Sequence, residues 1–407
     1  MLNNKGSNMT TVKYQNRSLI LNVLKSQGAI SRVDIAQILN LTPAAITILV
    51  NEMVKEGIVV ETGQLEEEDK RSGRKKILID INYDFKYVIG INIETDFSYI
   101  GIANIKGEAI AQEIIATDKT IPPAVLLQGI AMKCLQLLWR ENIHKDRVLG
   151  VGVGVVGKVD RTNGISKHAY SLWNEEVKVR DILEEALGLS ITMDNNVRAL
   201  ALGELDYHTR EEASNILFIK YGPGIGSAIT INNEIYYGIN SSAGEIGHTI
   251  VDINGEECKC KKRGCLETIA SEKAMSKKIA SEFNKSKTPA LYSICQGKPE
   301  NITTDNVYLA YESGDPYVTQ LIKSALEYMA LAVANAVIMY DPGKVILYGK
   351  VFRHQTIVDE FTAALEAMLS MGDLKDFIKL SKLNHKSSYS GAIALALREY
   401  FYSKGGI

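Results

Sequence analysis

NRSLILNVLKSQGAISRVDIAQILNLTPAAITILVNEMVKEGIV, residues 16–59, decides how the chain begins to fold. Leu19, Ile20, Val23 and Leu24 recur at helical spacing over 18–26, and Gln27-Gly28 ends the run. Ser31, with Asp34 three residues on, has the pattern of a capping box. The helix it starts is expected to bury Ile35, Ile38 and Leu39. Asn40-Leu41 makes a tight turn. Thr42 then caps a third helix with Pro43 at its first position, where a missing N–H costs nothing. That helix runs to Glu56, stops at Gly57 and buries Ile46, Leu49, Val50 and Met53. Helix, short helix, tight turn, helix is the helix-turn-helix plan.

Working outward, 57–61 and 77–81 read as two strands around the charged tip LEEEDKRSGRKK, residues 65–76, which makes a wing. Lys70, Arg71, Arg74, Lys75 and Lys76 lie in that tip and suit phosphates or a narrow minor groove. The third helix exposes Pro43, Ala44, Thr47, Ile48 and Asn51 early, with no Arg or Lys among them. Base reading would use Thr and Asn hydrogen bonds and apolar contact with thymine methyls, with Thr42 as cap or contact. Lys13, Arg17 and Arg32 are expected to clamp phosphates. The net charge is −2, so DNA binding must come from such a local patch.

The chain has 407 residues, enough for two or three domains. Its polar N-terminus does not read as a signal peptide, and the apolar run 329–340 is too short to span a bilayer and reads as a buried helix. Five cysteines, an odd number, point to a reducing cytoplasm. The boundary is placed at 82/83, with one lobe over about 83–206 plus a closing helix at 390–407, and another over about 207–389. From Tyr87 the texture is α/β: strands at 87–94, 98–105 and 108–116, a helix over 124–141, and the glycine-rich strand VLGVGVGVV at 148–156. A second round starts at Asn215. Triplets of strands followed by alternating helix and strand, twice, suggest two α/β lobes.

GHTIVDINGEECKCKKRGCLET, residues 247–268, holds three of the five cysteines. A disulfide is the weaker reading in a reducing compartment. His248 with Cys258, Cys260 and Cys265 has the composition of a closed tetrahedral zinc site; a thiol cluster without metal is the alternative.

GVGVGVVGKVD (150–160), MDNNVRALALGE (193–204), KYGPGIGSAITINNEIYYG (220–238), SSAGEIGH (241–248), CKCKKRGCLETIAS (258–271) and SGAIALALRE (390–399) together resemble the ROK family of repressors and sugar kinases, over about residues 87–400. The segment before them looks like the winged helix that the family's repressors carry and its kinases lack. The resemblance implies an actin-like fold of two ribonuclease-H-like lobes with sugar between them. It also implies one structural zinc ion on His248, Cys258, Cys260 and Cys265. Lys261 stands where many relatives have glycine. Sugar hydroxyls would meet Asn195, Asn196, Glu245, His248 and Glu267. Trp173, in the segment that begins at Ala169, reads equally as a sugar-stacking or a core residue.

A sugar kinase needs a carboxylate to take the attacking hydroxyl's proton. In the family it belongs to an Asn-Asp pair, and here that position is Asn196, an amide that cannot accept the proton. The Asp-x-Gly-Gly-Thr phosphate loop of kinases is replaced by Asn92-Ile93-Glu94-Thr95-Asp96. Like charges ~4 Å apart repel by about 4 kcal/mol at an effective dielectric near 20. The resemblance therefore implies a non-enzymatic, sugar-responsive regulator. It would be a repressor that grips a two-fold operator as a homodimer, or as a tetramer of paired dimers. A transport protein or a phosphosugar as signal, and an ATP-dependent sugar kinase, are the alternatives.

Overall fold

The computed structural model describes residues 8–64, 76–169, 171–208 and 215–406. Helix α1 spans Met9–Gln27, longer than the 18–26 expected, because Asn8 caps it by accepting from Thr11 N. Strand β1 (Ile30–Ser31) leads into α2 (Arg32–Leu39), where the Ser31/Asp34 capping box is present in both directions. Asn40 takes the left-handed turn at φ 51°, and α3 (Pro43–Lys55) starts at Thr42 as expected. Strands β2 (Val59–Gln64) and β3 (Ile77–Ile81) pair antiparallel, and β1 joins the outer side of β3. Ile46, Leu49, Val50 and Met53 are buried as their spacing required. Ile38 and Leu19 are not: Ile38 is 54% exposed, and Ala36 packs inward beside Ile35 instead. Leu21 takes the inward place expected for Leu19.

Contacts divide the chain into two compact units, residues 1–199 with 386–407, and residues 200–385. The first contains the winged helix and a five-stranded sheet. Its strands are β4 (Tyr87–Ile93), β5 (Phe97–Asn104), β6 (Ala109–Ala116), β7 (Val148–Val155) and, after the β8–β9 hairpin (Lys158–Asp160, Ile165–His168), β10 (Ile191–Asn195). The order is β10-β7-β4-β5-β6. Strands β4, β5 and β6 are antiparallel neighbours, whereas β4, β7 and β10 run parallel. Helices α4 (Pro123–Arg140) and α5 (Val179–Leu187) cover one face. Helix α6 (Asn196–Tyr207) crosses the division between units.

The second unit repeats the plan. Strands β11 (Ile216–Tyr221), β12 (Ile225–Ile231) and β13 (Glu234–Ile235) form an antiparallel meander. Helices α7 (Leu266–Ala270), α8 (Glu272–Glu282), α9 (Pro289–Ile294), α10 (Thr304–Glu312) and α11 (Pro316–Tyr340) follow. Strand β14 (Lys344–Tyr348), helix α12 (Gln355–Leu369) and strand β15 (Ile378–Leu380) complete the order β13-β12-β11-β14-β15. Helix α11 is long and apolar enough to cross a membrane, but Ile322, Leu326, Met329, Val333 and Val337 are spent on this unit's core. Its last residues, Ile338 to Tyr340, depart from the expected buried run and face outward.

The chain returns to the first unit with α13 (Ser390–Leu397) and a wide turn at Arg398–Tyr402. Glycines in β7 let α13 lie on the sheet: a Cβ on Gly152 would collide with the Ala392 carbonyl. One apolar core joins Ile20, Leu24, Ile46 and Met53 of the winged helix to Val88 and Ala103 of the sheet and to Ile393, Leu397 and Phe401. The winged helix is thus built onto the C-terminal segment rather than strung beside it.

Candidate functional site

On the winged helix, Pro43, Ala44, Thr47, Ile48 and Asn51 are all exposed along one side of α3. Ile48 is 62% exposed, an apolar side chain offered to solvent next to hydrogen-bonding groups. Thr42 Oγ1 accepts from Ala45 N at 3.3 Å, so its cap role is in use. Thr47 Oγ1 donates to the Pro43 carbonyl at 2.7 Å. Arg32 donates to Asn51 Oδ1 at 3.2 Å and pairs with Glu61 at 2.9 Å. It thereby holds the Asn51 side chain by its oxygen, with the amide NH2 turned away from Arg32. Lys13 pairs with Glu52 at 2.6 Å and Lys76 with Asp34 at 3.7 Å. Lys70, Arg71, Arg74 and Lys75 lie outside the described residues.

Arg17 is a correction. Its side chain is 1% exposed and cannot meet a phosphate. Its Nε donates to the Gly405 carbonyl at 3.0 Å and its two terminal nitrogens fork onto the Glu56 carboxylate. The bidentate geometry is the strong form of this pair. Arg17 holds α1, the end of α3 and the C-terminal segment together, and Lys25 stacks over the Tyr402 ring at 4.5 Å nearby.

In the second unit the segment 246–268 folds around four donors. The ligating atoms of His248, Cys258, Cys260 and Cys265 lie within 4.8 Å of one another. Cys258 Sγ is 3.6 Å from His248 Nδ1, and Cys260 Sγ is 3.5 Å from Cys265 Sγ. A tetrahedron with ~2.3 Å metal–sulfur bonds has edges of roughly 3.8 Å, so the cluster matches that size. Isolated bridges Ile250↔Cys265 and Glu257↔Arg263 brace the loop. Lys261 adopts φ 71°, the left-handed conformation glycine would take at no steric cost. Burial pushes the Cys265 thiol up to about 12 and raises Cys258. Burial also lowers His248, opposed by the charges of Glu267 and Glu245.

Glu267 is tied down. Its Oε2 accepts from Ile225 N at 3.3 Å and its Oε1 pairs with Lys259 at 2.7 Å. A Cβ on Gly224 would lie 2.7 Å from Glu267 Oε2. Among the described contacts, the glycine turn between β11 and β12 therefore closes a hairpin and makes room for Glu267. Glu245 is exposed, at the start of the short turn Ile246–His248.

In the first unit, Asn195 Nδ2 donates to the Gly157 carbonyl at 2.7 Å, and its Oδ1 accepts from Val197 N at 2.8 Å. The Asn195 side chain thus caps α6. Asn196 is 2% exposed, and its Nδ2 lies 3.5 Å from Glu94 Oε1. Asp194 is fully buried against Arg198 at 3.6 Å. Trp173 belongs to the core, with its indole N–H on Ser166 Oγ at 3.0 Å, so the stacking alternative falls. Sequence reading missed the approach of Glu94 to Asn196 and the Lys259–Glu267 pair. Positions 94 and 196 are linked only by the pairing of their strands.

The sequence profile of the ROK family matches residues 88–399, and that of a winged helix-turn-helix DNA-binding segment matches residues 15–60. The chain belongs to the ROK family. A xylose repressor from Caldicellulosiruptor bescii is 28% identical over 96% of this chain and 98% of its own length. The DNA-binding transcriptional dual regulator NagC of Escherichia coli is 25% identical over 96% of this chain and 94% of its own. A glucokinase from Halalkalibacterium halodurans, 28% identical, covers 65% of this chain, with 81% of its own length matched. Among solved structures, a ROK family transcriptional regulator homologous to the Escherichia coli MLC protein superposes with a TM-score of 0.78. It is 21% identical, and 97% of each chain is covered. A Streptomyces griseus ROK glucokinase covers 76% of this chain and 98% of its own at a TM-score of 0.64. The fold is accordingly the actin-like ROK fold preceded by a winged helix-turn-helix. The ROK region is common to regulators and kinases, and the winged helix is the part that the full-length regulator matches add.

Proposed function

We propose that this ROK protein is a sugar-responsive transcriptional repressor that binds operator DNA as a homodimer and is released by a free monosaccharide. The observation that carries the reading is the join: a helix with an exposed Thr, Ile and Asn face, built into one core with a ROK unit whose proton-accepting position is Asn196. Asn51 and Thr47 are the base readers, Ile48, Ala44 and Pro43 the apolar contacts, and Arg32 with the wing cations Arg71, Arg74 and Lys75 the phosphate contacts. Asn196, Glu245, His248 and Glu267 are the sugar-contacting side chains of this reading. Asn195 supports them by holding the start of α6 in place.

His248, Cys258, Cys260 and Cys265 hold a zinc ion, which supplies cross-linking rather than chemistry, since four N/S donors leave no open position. The chain's own contribution is to seat Glu267 through Lys259 and Ile225 N. The protein works in the cytoplasm, where the thiols stay reduced. No phosphoryl transfer occurs, because an amide replaces the base and Glu94 and Thr95 replace the two glycines of the phosphate loop.

A thermal-shift screen of the zinc-loaded protein tests this reading against monosaccharides, their phosphates, and ATP with magnesium. A ligand at a hundred times its dissociation constant adds about 2.7 kcal/mol. One neutral sugar is expected to raise the melting temperature, and ATP is not. Turnover of sugar with ATP would instead restore the kinase reading. A chain that answers to no sugar would point to a transport protein as signal.

A further inference from the structure

Strands β4, β7 and β10 run parallel, and their C-terminal ends bring Glu94, Val155 and Asn196 to one edge of the first unit's sheet. Ligand sites in such sheets form at this edge. The side chains there make a polar nest with the half-buried Glu94 at its mouth. Asn92 is 1% exposed and, together with Asn196 and Ser388, has left solvent. Asn92 Nδ2 donates to Glu94 Oε1 and to Ser388 Oγ, each at 3.0 Å. Asn196 Nδ2 approaches the same Glu94 oxygen at 3.5 Å. The other end of the Asn92 amide, Oδ1, is buried with no hydrogen-bond partner. A buried carbonyl oxygen left unpaired is costly and asks for a donor.

These groups share a sign. An ionised carboxylate only accepts hydrogen bonds, and so does an amide oxygen. Both amide NH2 groups that reach the nest are turned toward Glu94, and each gives it a hydrogen. What Glu94 and the Asn92 oxygen offer a visitor is therefore acceptors, with the Ser388 hydroxyl able to act either way. A sugar hydroxyl brings a hydrogen to such a wall. A phosphate ester at neutral pH brings negative oxygens that are repelled by Glu94.

We propose that Glu94 is the ligand-selecting residue of this nest: it accepts a hydroxyl hydrogen from a neutral sugar and bars phosphorylated sugars. The inference rests on the sugar-binding reading above and deepens it, by fixing the effector as uncharged. The carboxylate absent from position 196 is supplied to its neighbourhood from the end of β4, held there as an acceptor by the Asn92 and Asn196 amides.

Glu94→Gln tests this, because the glutamine carbonyl still accepts from Asn92 and Asn196 while the charge is gone. Binding of D-xylose, D-glucose, N-acetyl-D-glucosamine and the 6-phosphates of the two hexoses is measured by calorimetry on the full chain and on the variant. Far-UV circular dichroism and the ligand-free melting temperature check the fold, with Glu94→Asp as a variant that keeps the charge. The wild type is expected to bind a neutral sugar and to reject phosphate esters. Glu94→Gln is expected to weaken the neutral sugar by ~10-fold or more, the worth of a charge-assisted hydrogen bond. It should also narrow the neutral-to-phosphate preference by a similar factor, while Glu94→Asp keeps that preference. Wild-type binding of a sugar with no change in Glu94→Gln overturns this inference alone. Tighter wild-type binding of a phosphate ester than of its parent sugar overturns it as well. If the wild type binds neither class, the sugar reading fails and takes this inference with it.

Discussion

Replacing Arg17 by alanine is expected to cost about 2–4 kcal/mol of stability and to loosen the winged helix from the C-terminal segment. The side chain is almost wholly buried, and its fork to Glu56 and its bond to Gly405 link three stretches of chain. Removing one partner of a fully buried ion pair costs about 3–5 kcal/mol. Glu56 retains 39% of its side-chain surface, so water recovers part of that loss. The Gly405 carbonyl and the space left by the guanidinium add to it. Arg17→Lys keeps the charge but not the fork, and should fall between the two. Urea unfolding gives the ranking. Hydrogen exchange should show lost protection in α1 and around Tyr400–Gly406 together. A phosphate-clamping arginine would behave differently: stability would hold, and the slope of operator affinity against salt would shrink by about one phosphate contact.

The second large effect is expected at the metal cluster. The purified chain should carry one zinc per protomer, and Cys258→Ser, Cys260→Ser or Cys265→Ser should each bring zinc below stoichiometry. Structural zinc supplies on the order of 10 kcal/mol of folding free energy to a small finger. In this larger unit the loss falls on residues 246–268, whose local bracing is two isolated bridges and a few turns. The melting transition of the second unit should drop, and the sugar-induced shift should fall from about 2.7 kcal/mol to near zero as Glu245, His248 and Glu267 lose their frame. Atomic absorption and the thermal-shift assay read both quantities. A chain that keeps its sugar response after chelation would show that zinc does not hold the ligand groups.

Much of this architecture is legible because it is local. Ser31 and Asp34, Thr42 and Pro43, and the left-handed Asn40 are signals within a few residues of the structure they specify. The buried stripe of α3 follows from helical period alone. The four metal donors likewise fall within one short segment. What sequence reading could not reach is set by distance along the chain. Arg17 meets Gly405 across 388 positions, so a cation beside a DNA-binding motif reads as a phosphate contact until the partner is seen. Glu94 meets Asn196 across 102 positions, through the parallel pairing of β4, β7 and β10. Ile38 shows a smaller limit. On an eight-residue helix two adjacent faces fit the spacing, and packing chose Ala36.

One chain that both grips DNA and lets go when a neutral sugar arrives should show both properties in a single titration. The most direct measurement is fluorescence anisotropy of the full-length protein on DNA from upstream of its own coding region. It is made across a salt series, with and without the sugar found by thermal shift. Saturable binding is expected, with the logarithm of the affinity falling linearly with the logarithm of salt and the affinity at least ~10-fold lower when sugar is present. Binding that ignores the sugar at every salt concentration would contradict it.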